Sequence, residues 1–283
     1  MTALSAPSVA MRHRARIRWP VVRAVLHKDL LATRRSKAVV IPMLVVPAVL
    51  LVGLPAGLGL FARSASAPDL SGLAQHLPDG IASRLAGLDP HQQMLVLVLG
   101  HLVAPLFLIV PMMVSAALAA DTFAGEKERR TLESLLHLPI EADELYLAKV
   151  LFAFVPAVVL SWAGFALYVV VADIVAWPVM DGWFLPNAEW LALIGVMAPA
   201  VAALGLGIMV RVSARAATTQ EANQLGGAVI MPIILATVGQ ASGVLVLGAA
   251  WVLGIAAGIW VLAGWLVRGG MRRFTRDDVA ARL

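Results

Sequence analysis

The chain has no cysteine, and six long stretches of it contain no Asp, Glu, Lys or Arg. Without cysteine there is no disulfide, no thiol nucleophile and no thiolate-bound metal. No Gly-x-x-x-x-Gly-Lys-Ser/Thr loop occurs, so the chain has no recognisable nucleotide phosphate site of its own. His-Glu-x-x-His and Gly-x-Ser-x-Gly are also missing, which removes the common zinc-hydrolase and serine-hydrolase signatures. The six histidines are scattered, and only His101 lies inside an uncharged stretch. It reads as a hydrogen-bonded packing residue before a ligand. Charged residues make up 14% of the chain and hydrophobic ones 60%, whereas soluble domains carry about 25% charged residues.

The uncharged stretches are Ala38–Phe61, Met94–Ala120, Val150–Ala172, Trp190–Val210, Ala222–Val238 and Val244–Val267. About 20 apolar residues carry a helix across the hydrocarbon, with about 17 as the lower limit, so each stretch is long enough. An open sheet would leave backbone groups unpaired in lipid, which makes helices the spanning form. Gly239-Gln-Ala-Ser-Gly243 makes a tight polar turn between the last two. The expectation is an all-α, polytopic membrane protein with six transmembrane helices. Proton- and ion-driven carriers place ionisable groups at membrane depth. Their absence from the six stretches argues against a self-powered carrier, so energy is expected to arrive from outside the chain.

Basic residues are sorted to one side. Nine Lys and Arg precede the first stretch, four separate the second from the third, two separate the fourth from the fifth, and five follow the sixth. Only Arg63 and Arg84 lie in the other loops. The positive-inside rule then places both termini in the cytosol. The same sorting accounts for the pI of about 10.2 without a nucleic-acid partner, and basic tails beside a bilayer attract anionic headgroups. Residues 1–37 read as a cytosolic basic tail, 38–267 as the transmembrane domain and 268–283 as a second basic tail. The Arg-rich start has a faint likeness to a transit peptide. It lacks an apolar core and small-residue cleavage pattern ahead of Ala38, and is read as a solvated tail.

Within that tail, Val22, Val25, Leu26 and Leu30 share one helical face, and Arg23, His27, Lys28, Arg34 and Arg35 supply another. This describes an amphipathic interfacial helix, acting as a lever or as an anchor. On the outer side, the run from Asp79 to Leu88 reads as a short capped helix. Trp177, Trp183, Phe184 and Trp190 read as interfacial belt residues. Pro42, Pro47, Pro55, Pro105, Pro111, Pro156, Pro199 and Pro232 bend the spans, as static kinks or as hinges. Gly254-Ile-Ala-Ala-Gly258 permits close helix approach, most simply within the chain.

The densest charge lies between the second and third stretches. Seven of the seventeen acidic residues fall between Asp121 and Lys149. In the same segment Leu132, Leu135 and Leu136 are spaced to share one face of a short helix. A turn of that length is marginal alone and gains stability by docking, on a soluble partner or on the chain's own spans.

This island resembles that of the membrane subunits of exporter-type ATP-binding-cassette transporters, the type-2 permease family. The matching residues are Glu126-Lys127-Glu128-Arg129-Arg130, Thr131-Leu132-Glu133, Leu135-Leu136, Pro139 and Lys149. Val212-Ser-Ala-Arg and Gln220-Glu-Ala-Asn-Gln-Leu225 match a second piece. Arg130 stands where many members carry Gly, and the link between the last two spans is short. The resemblance implies a permease subunit that forms the substrate pathway, largely from its second and fifth spans. It implies a second permease subunit, identical or related, and separate ATPase subunits that bind the ATP. The chain itself would hold no cofactor and hydrolyse nothing. Glu126 to Pro139 would couple to the ATPase, with Thr131 to His137 as a cytosolic coupling helix. The implied location is a prokaryotic plasma membrane. The competing readings are a membrane scaffold that anchors an ATPase without transport, and a secondary carrier.

Topology is testable because the native chain has no cysteine. Single cysteines at Ser71 and Asn187 should react with an impermeant reagent from outside, and one at Ser213 should not. Outside labelling at Ser213 would overturn the orientation.

Overall fold

The computed structural model of the chain describes residues 17–64, 85–129, 139–216, 218–227, 231 and 249–273. All regular structure among them is helical. Helix α1 is Trp19–Arg35. Helix α2 runs from Lys37–Ala48 through Val49–Gly53 to Leu54–Ser64. Helix α3 runs from Pro90–Leu95 to Glu126–Glu128. Helix α4 is Ala142–Met180, and α5 runs from Ala188–Ala192 through Leu193–Met197 to Ala198–Ser213. Helix α6 is Thr219–Gly227 and α7 is Ala249–Arg273.

Five of these, α2, α3, α4, α5 and α7, are long and apolar enough to cross a membrane. They correspond to the first four expected spans and the sixth. The fifth expected span, 222–238, falls largely outside the described residues, as do the turn at 239–243 and the start of the expected outer helix. Five of the six expected crossings are thus present among the described residues.

Helices α5 and α3 form the middle of the bundle. Of their most apolar windows 78% and 56% are buried, against 28%, 22% and 17% for α4, α7 and α2. Small residues make this possible. A Cβ at Gly205 of α5 would lie 3.0 Å from both the Met112 carbonyl and the Ser115 hydroxyl of α3. On the outer helices, Val49, Val159, Ile174 and Val261 are exposed and present apolar side chains suited to lipid. Helix α7 packs through Val252, Ala256, Ala263 and Leu266. Gly254 and Gly258 face away from that contact, with nothing among the described residues within 4 Å of an added Cβ.

The third span is longer than its apolar stretch. Helix α4 continues to Met180, and Asp173, the first charged residue past the uncharged stretch, is a buried helical residue. Its Oδ1 accepts the backbone N–H groups of Phe184 and Leu185, both at 3.0 Å. The carboxylate thus folds the short connection Asp181 to Asn187 back over the helix end. Asn187 then caps α5 by accepting the Trp190 N–H at 2.9 Å. Trp177 and Trp183 are exposed, as belt residues should be, but Trp190 is 1% exposed. It stacks on Tyr168 at 4.9 Å and on Phe165 at 5.6 Å, with Phe107 edge-on at 5.8 Å.

The prolines leave a specific mark. Wide π-helical turns occupy Val49–Gly53, Val96–Leu102 and Leu193–Met197, just ahead of Pro55, Pro105 and Pro199. Proline donates no hydrogen bond and its ring crowds the carbonyl four residues back. A wider preceding turn moves that carbonyl aside. The same widening strands another one. Val103 donates five residues back to Val98 and skips Leu99, and Ala198 donates to Leu193 and skips Ile194. Side chains of α4 fill both gaps: the Tyr168 hydroxyl donates to the Leu99 carbonyl, and Trp162 Nε1 donates to the Ile194 carbonyl at 3.1 Å. Trp190 Nε1 donates to the neighbouring Gly100 carbonyl at 3.1 Å. These kinks are braced by named hydrogen bonds.

Ser213 is buried, so a labelling cysteine for that loop belongs at exposed Gln220. Tyr168→Phe keeps the ring stack but leaves the Leu99 carbonyl unmet. It should cost about 1–2 kcal/mol, read as a lower thermal midpoint in detergent. An unchanged midpoint would show that the hydroxyl does not support the wide turn.

Candidate functional site: a buried charge ring beneath the island

The charged island begins where α3 leaves the bundle. Its first residues, Asp121–Gly125, form a fourth π-helical turn, followed by the single turn Glu126–Glu128. Thr122 and Glu126, four positions apart, share a face that points inward, with exposures of 3% and 5%. Helix α1 lies alongside. Its Val22 and Val25 pack on Leu145 and Ala148 near the start of α4. The apolar face expected to lie in the membrane interface is therefore divided: Val22 and Val25 are buried on protein, while Leu30 is exposed. This contact aligns Asp29 of α1 and Lys149 of α4 with the inward face of α3.

Five side chains then close a ring. Lys149, 0% exposed, forms an ion pair with Glu126. Its Nζ also donates to the Thr122 carbonyl at 2.7 Å and to the Thr122 hydroxyl at 3.2 Å. That hydroxyl donates onward to Asp29 at 3.3 Å. Lys28 completes the circuit with contacts of 3.0 Å to both Asp29 and Glu126. Two cations face two anions, so the ring carries no formal net charge. A buried charge is costly unless paired and hydrogen-bonded, and here the carboxylates and ammonium groups satisfy one another. The Phe123 ring centre lies 5.6 Å from Lys149 Nζ and adds a favourable face.

Burial alone would lower the Lys28 ammonium, but the carboxylates of Glu126 and Asp29 outweigh it and hold it above its usual range. For a raised cation the sign is definite. Its contribution is full below the unfolded lysine value of about 10.4 and is lost only as pH rises through the higher folded value. The Lys28 link is therefore intact throughout the physiological range.

Further contacts radiate from the ring. Arg18, at the start of α1, grips Glu144 of α4 with its backbone N–H at 2.8 Å, Nε at 2.9 Å and Nη2 at 2.8 Å. These bonds hold the guanidinium above its usual range. Arg18 also donates to the Pro139 carbonyl at 2.8 Å. Glu128 accepts the Thr219 N–H at 2.9 Å and the Thr219 hydroxyl at 3.0 Å, placing a carboxylate at the N-terminus of α6, where the helix dipole favours it. Lys127 donates to the Ala216 carbonyl at 3.3 Å. Arg129 pairs with Asp121 at 3.1 Å. The end of α3 is thus bonded to α1, α4 and the start of α6.

The expected coupling residues divide accordingly. Glu126 is buried in the ring, whereas Glu128, Arg129 and Pro139 are exposed and Lys127 is half-buried. Arg130, Thr131, Leu132, Glu133, Leu135 and Leu136 lie outside the described residues. Lys28, Asp29, Thr122, Arg18 and Glu144 were not picked out as a group. One signal was available: Asp29 is the sole acidic residue in the first 68 positions. Beside this end of the bundle, Met112, Ala116, Gly205, Met209 and Asn223 help line a cavity of about 280 Å³. Thr219 borders it too, so the cavity adjoins the Glu128 contact. Among the described residues, no group of His, Asp and Glu is placed to hold a metal.

Glu126→Ala would leave Lys149 buried without its nearest counter-charge, at a cost of about 3–5 kcal/mol. Glu126→Leu combined with Lys149→Met should recover most of that loss. Denaturant unfolding in detergent measures both. Equal stability of the single variant and the parent protein would remove the ring as a structural support.

No curated protein was found to match the chain. A family model does match, the one described as ABC-2 family transporter protein, over residues 23–265. That range takes in most of α1, the charge ring and each helix that is long and apolar enough to span, ending within α7. The chain is an integral membrane protein that belongs to the ABC-2 transporter family.

Proposed function

We propose that this chain is the permease subunit of an ATP-binding-cassette exporter, paired with a second permease subunit and driven by separate ATPase subunits. The observation that carries this reading is the charge ring within the matched family region. It ties the end of α3 to α1 and α4 at the head of the segment 130–138. Family members typically partner with ATPase subunits.

A force applied to 130–138 enters α3 at Arg129. The ring passes it to α1 and α4 without loss of register, because the links are short and mutually neutralising. The Glu128–Thr219 contact passes it to α6 and the cavity beside it. Deeper in the bundle the π-helical turns are the places where the helices depart from regular geometry. In this reading the charged end and both termini face the cytosol, in keeping with the sorting of Lys and Arg. The exposed Glu128, Arg129, Glu141 and Asp143 provide complementary charge for the encounter with the ATPase.

Leu135→Asp should leave membrane insertion intact while abolishing both ATPase co-purification and ATP-driven flux in vesicles. A buried leucine is worth about 1.5–3 kcal/mol, and a carboxylate in an apolar groove adds a desolvation cost. The purified chain alone should hydrolyse no ATP. Normal assembly of Leu135→Asp with the ATPase would show that docking uses other residues. Hydrolysis by the isolated chain would overturn the division of labour.

A further inference from the structure

Arg211 lies in the last turn of α5, and Trp265 lies near the end of α7. The guanidinium carbon sits 4.4 Å from the centre of the indole. Trp265 is 62% exposed and belongs to an outward surface with Val261, 75% exposed, and Leu262. That surface is part of an apolar spanning helix, so in a bilayer it borders lipid. Gly269 lies close to the guanidinium. A Cβ there would stand 2.7 Å from Arg211 Nη2, so a larger residue would displace the arginine from the ring.

Stacking occupies a face of the guanidinium. Its N–H donors lie in the plane and stay available to an oxyanion. Among the described residues no carboxylate pairs with Arg211 and no acceptor takes a hydrogen bond from it. Arg215 follows Arg211 by four positions and Arg268 follows Trp265 by three, and both are exposed. Neither forms an ion pair among the described residues. Helix C-termini attract cations, which accounts for basic residues at these ends. It does not account for a guanidinium placed 4.4 Å over the centre of a lipid-facing indole.

We propose that Arg211, Arg215 and Arg268, with Trp265, form a binding site for the phosphate headgroup of an anionic lipid. The guanidinium of Arg211 forks the phosphate oxygens, Arg215 and Arg268 add charge, and the indole packs along the first part of the acyl chains. A free phosphate would use the arginines but gain nothing from the exposed indole, so a lipid is the better fit. The site adjoins the charge ring. Tyr146 donates to the Val267 carbonyl at 2.8 Å, directly before Arg268, and lies 6.0 Å from Phe123, whose ring faces Lys149. A bound lipid therefore steadies the end of α7 against the start of α4. The inference rests on the membrane orientation proposed above. Its test requires no ATPase, so the two readings fail separately.

The full chain, purified in neutral detergent and mixed with equal phosphatidylglycerol and phosphatidylcholine, is examined by native mass spectrometry. Phosphatidylglycerol should be retained in preference. Arg211→Gln should reduce that retention about fivefold, the effect of one basic residue near an anionic surface. Arg268→Gln should also reduce it, and Arg211→Lys should fall between. Arg63→Gln, at the opposite end of the bundle, controls for net charge and should change nothing. Equal retention of the two lipids overturns the proposal, as does parental retention in both Arg211→Gln and Arg268→Gln. Displacement of the lipid by glycerol phosphate as readily as by short-chain phosphatidylglycerol also overturns it, in favour of a free-phosphate site.

Discussion

The ion pair between Lys149 and Glu126, with 0% and 5% exposure of the two residues, is the constraint from which the charged end is built. An ammonium group that deep is tolerable only with a counter-charge and acceptors in place. Meeting that demand brings Glu126 inward, and with it the end of α3. It turns the Thr122 carbonyl toward α4 and recruits Lys28 and Asp29 from α1 to balance the remaining charge. Three chain segments far apart in sequence are thereby held in one arrangement. The cost of burying Lys149, Glu126 and Asp29 is offset by their mutual satisfaction, with the half-exposed Lys28 supplying the second positive charge, and this ties the position of each helix to that of the others.

Helix α4 extends the same logic along the bundle. Lys149 bonds a carbonyl in the π-helical turn at the end of α3, Tyr168 bonds one near the start of α3, and Trp162 bonds one in α5. Each acceptor lies where a wide turn has disturbed the regular ladder. In lipid an unmet carbonyl has no water to turn to, so a donor on a neighbouring helix is the remaining remedy. Two prolines, Pro105 and Pro199, thus have consequences beyond their own helices, because α4 must carry the matching donors at the right heights. The long single helix from Ala142 to Met180 acts as a strut against which the interrupted helices are registered.

The aromatic residues show where a local pattern falls short. Trp177, Trp183 and Trp190 look alike in sequence, grouped around one polar connection. Asp173 draws that connection back over the end of α4, and Asn187 starts α5 so that Trp190 points inward among Phe107, Phe165 and Tyr168. Whether a tryptophan sits in a belt or in a core depends on the rotation of its helix, and neighbouring helices set that rotation. The valines of α1 follow the same rule. Their spacing marks an apolar face, but only the position of α4 makes that face bury protein rather than lipid.

Apolar length and the sorting of Lys and Arg are local properties. By themselves they determined that the chain is a helical membrane protein, where five of its long uncharged helices lie among the described residues, and that a charged island interrupts them between α3 and α4. Glu126 and Lys149 were both visible in that island's pattern. Their union was not, because pairing is a matter of distance between remote segments: Asp29 and Thr122 are 93 positions apart, and Lys28 and Glu126 are 98 apart. Only the tertiary structure decided which charges neutralise one another. A charge in sequence has a sign but no neighbour, and in a low-dielectric interior the neighbour decides whether it can be buried.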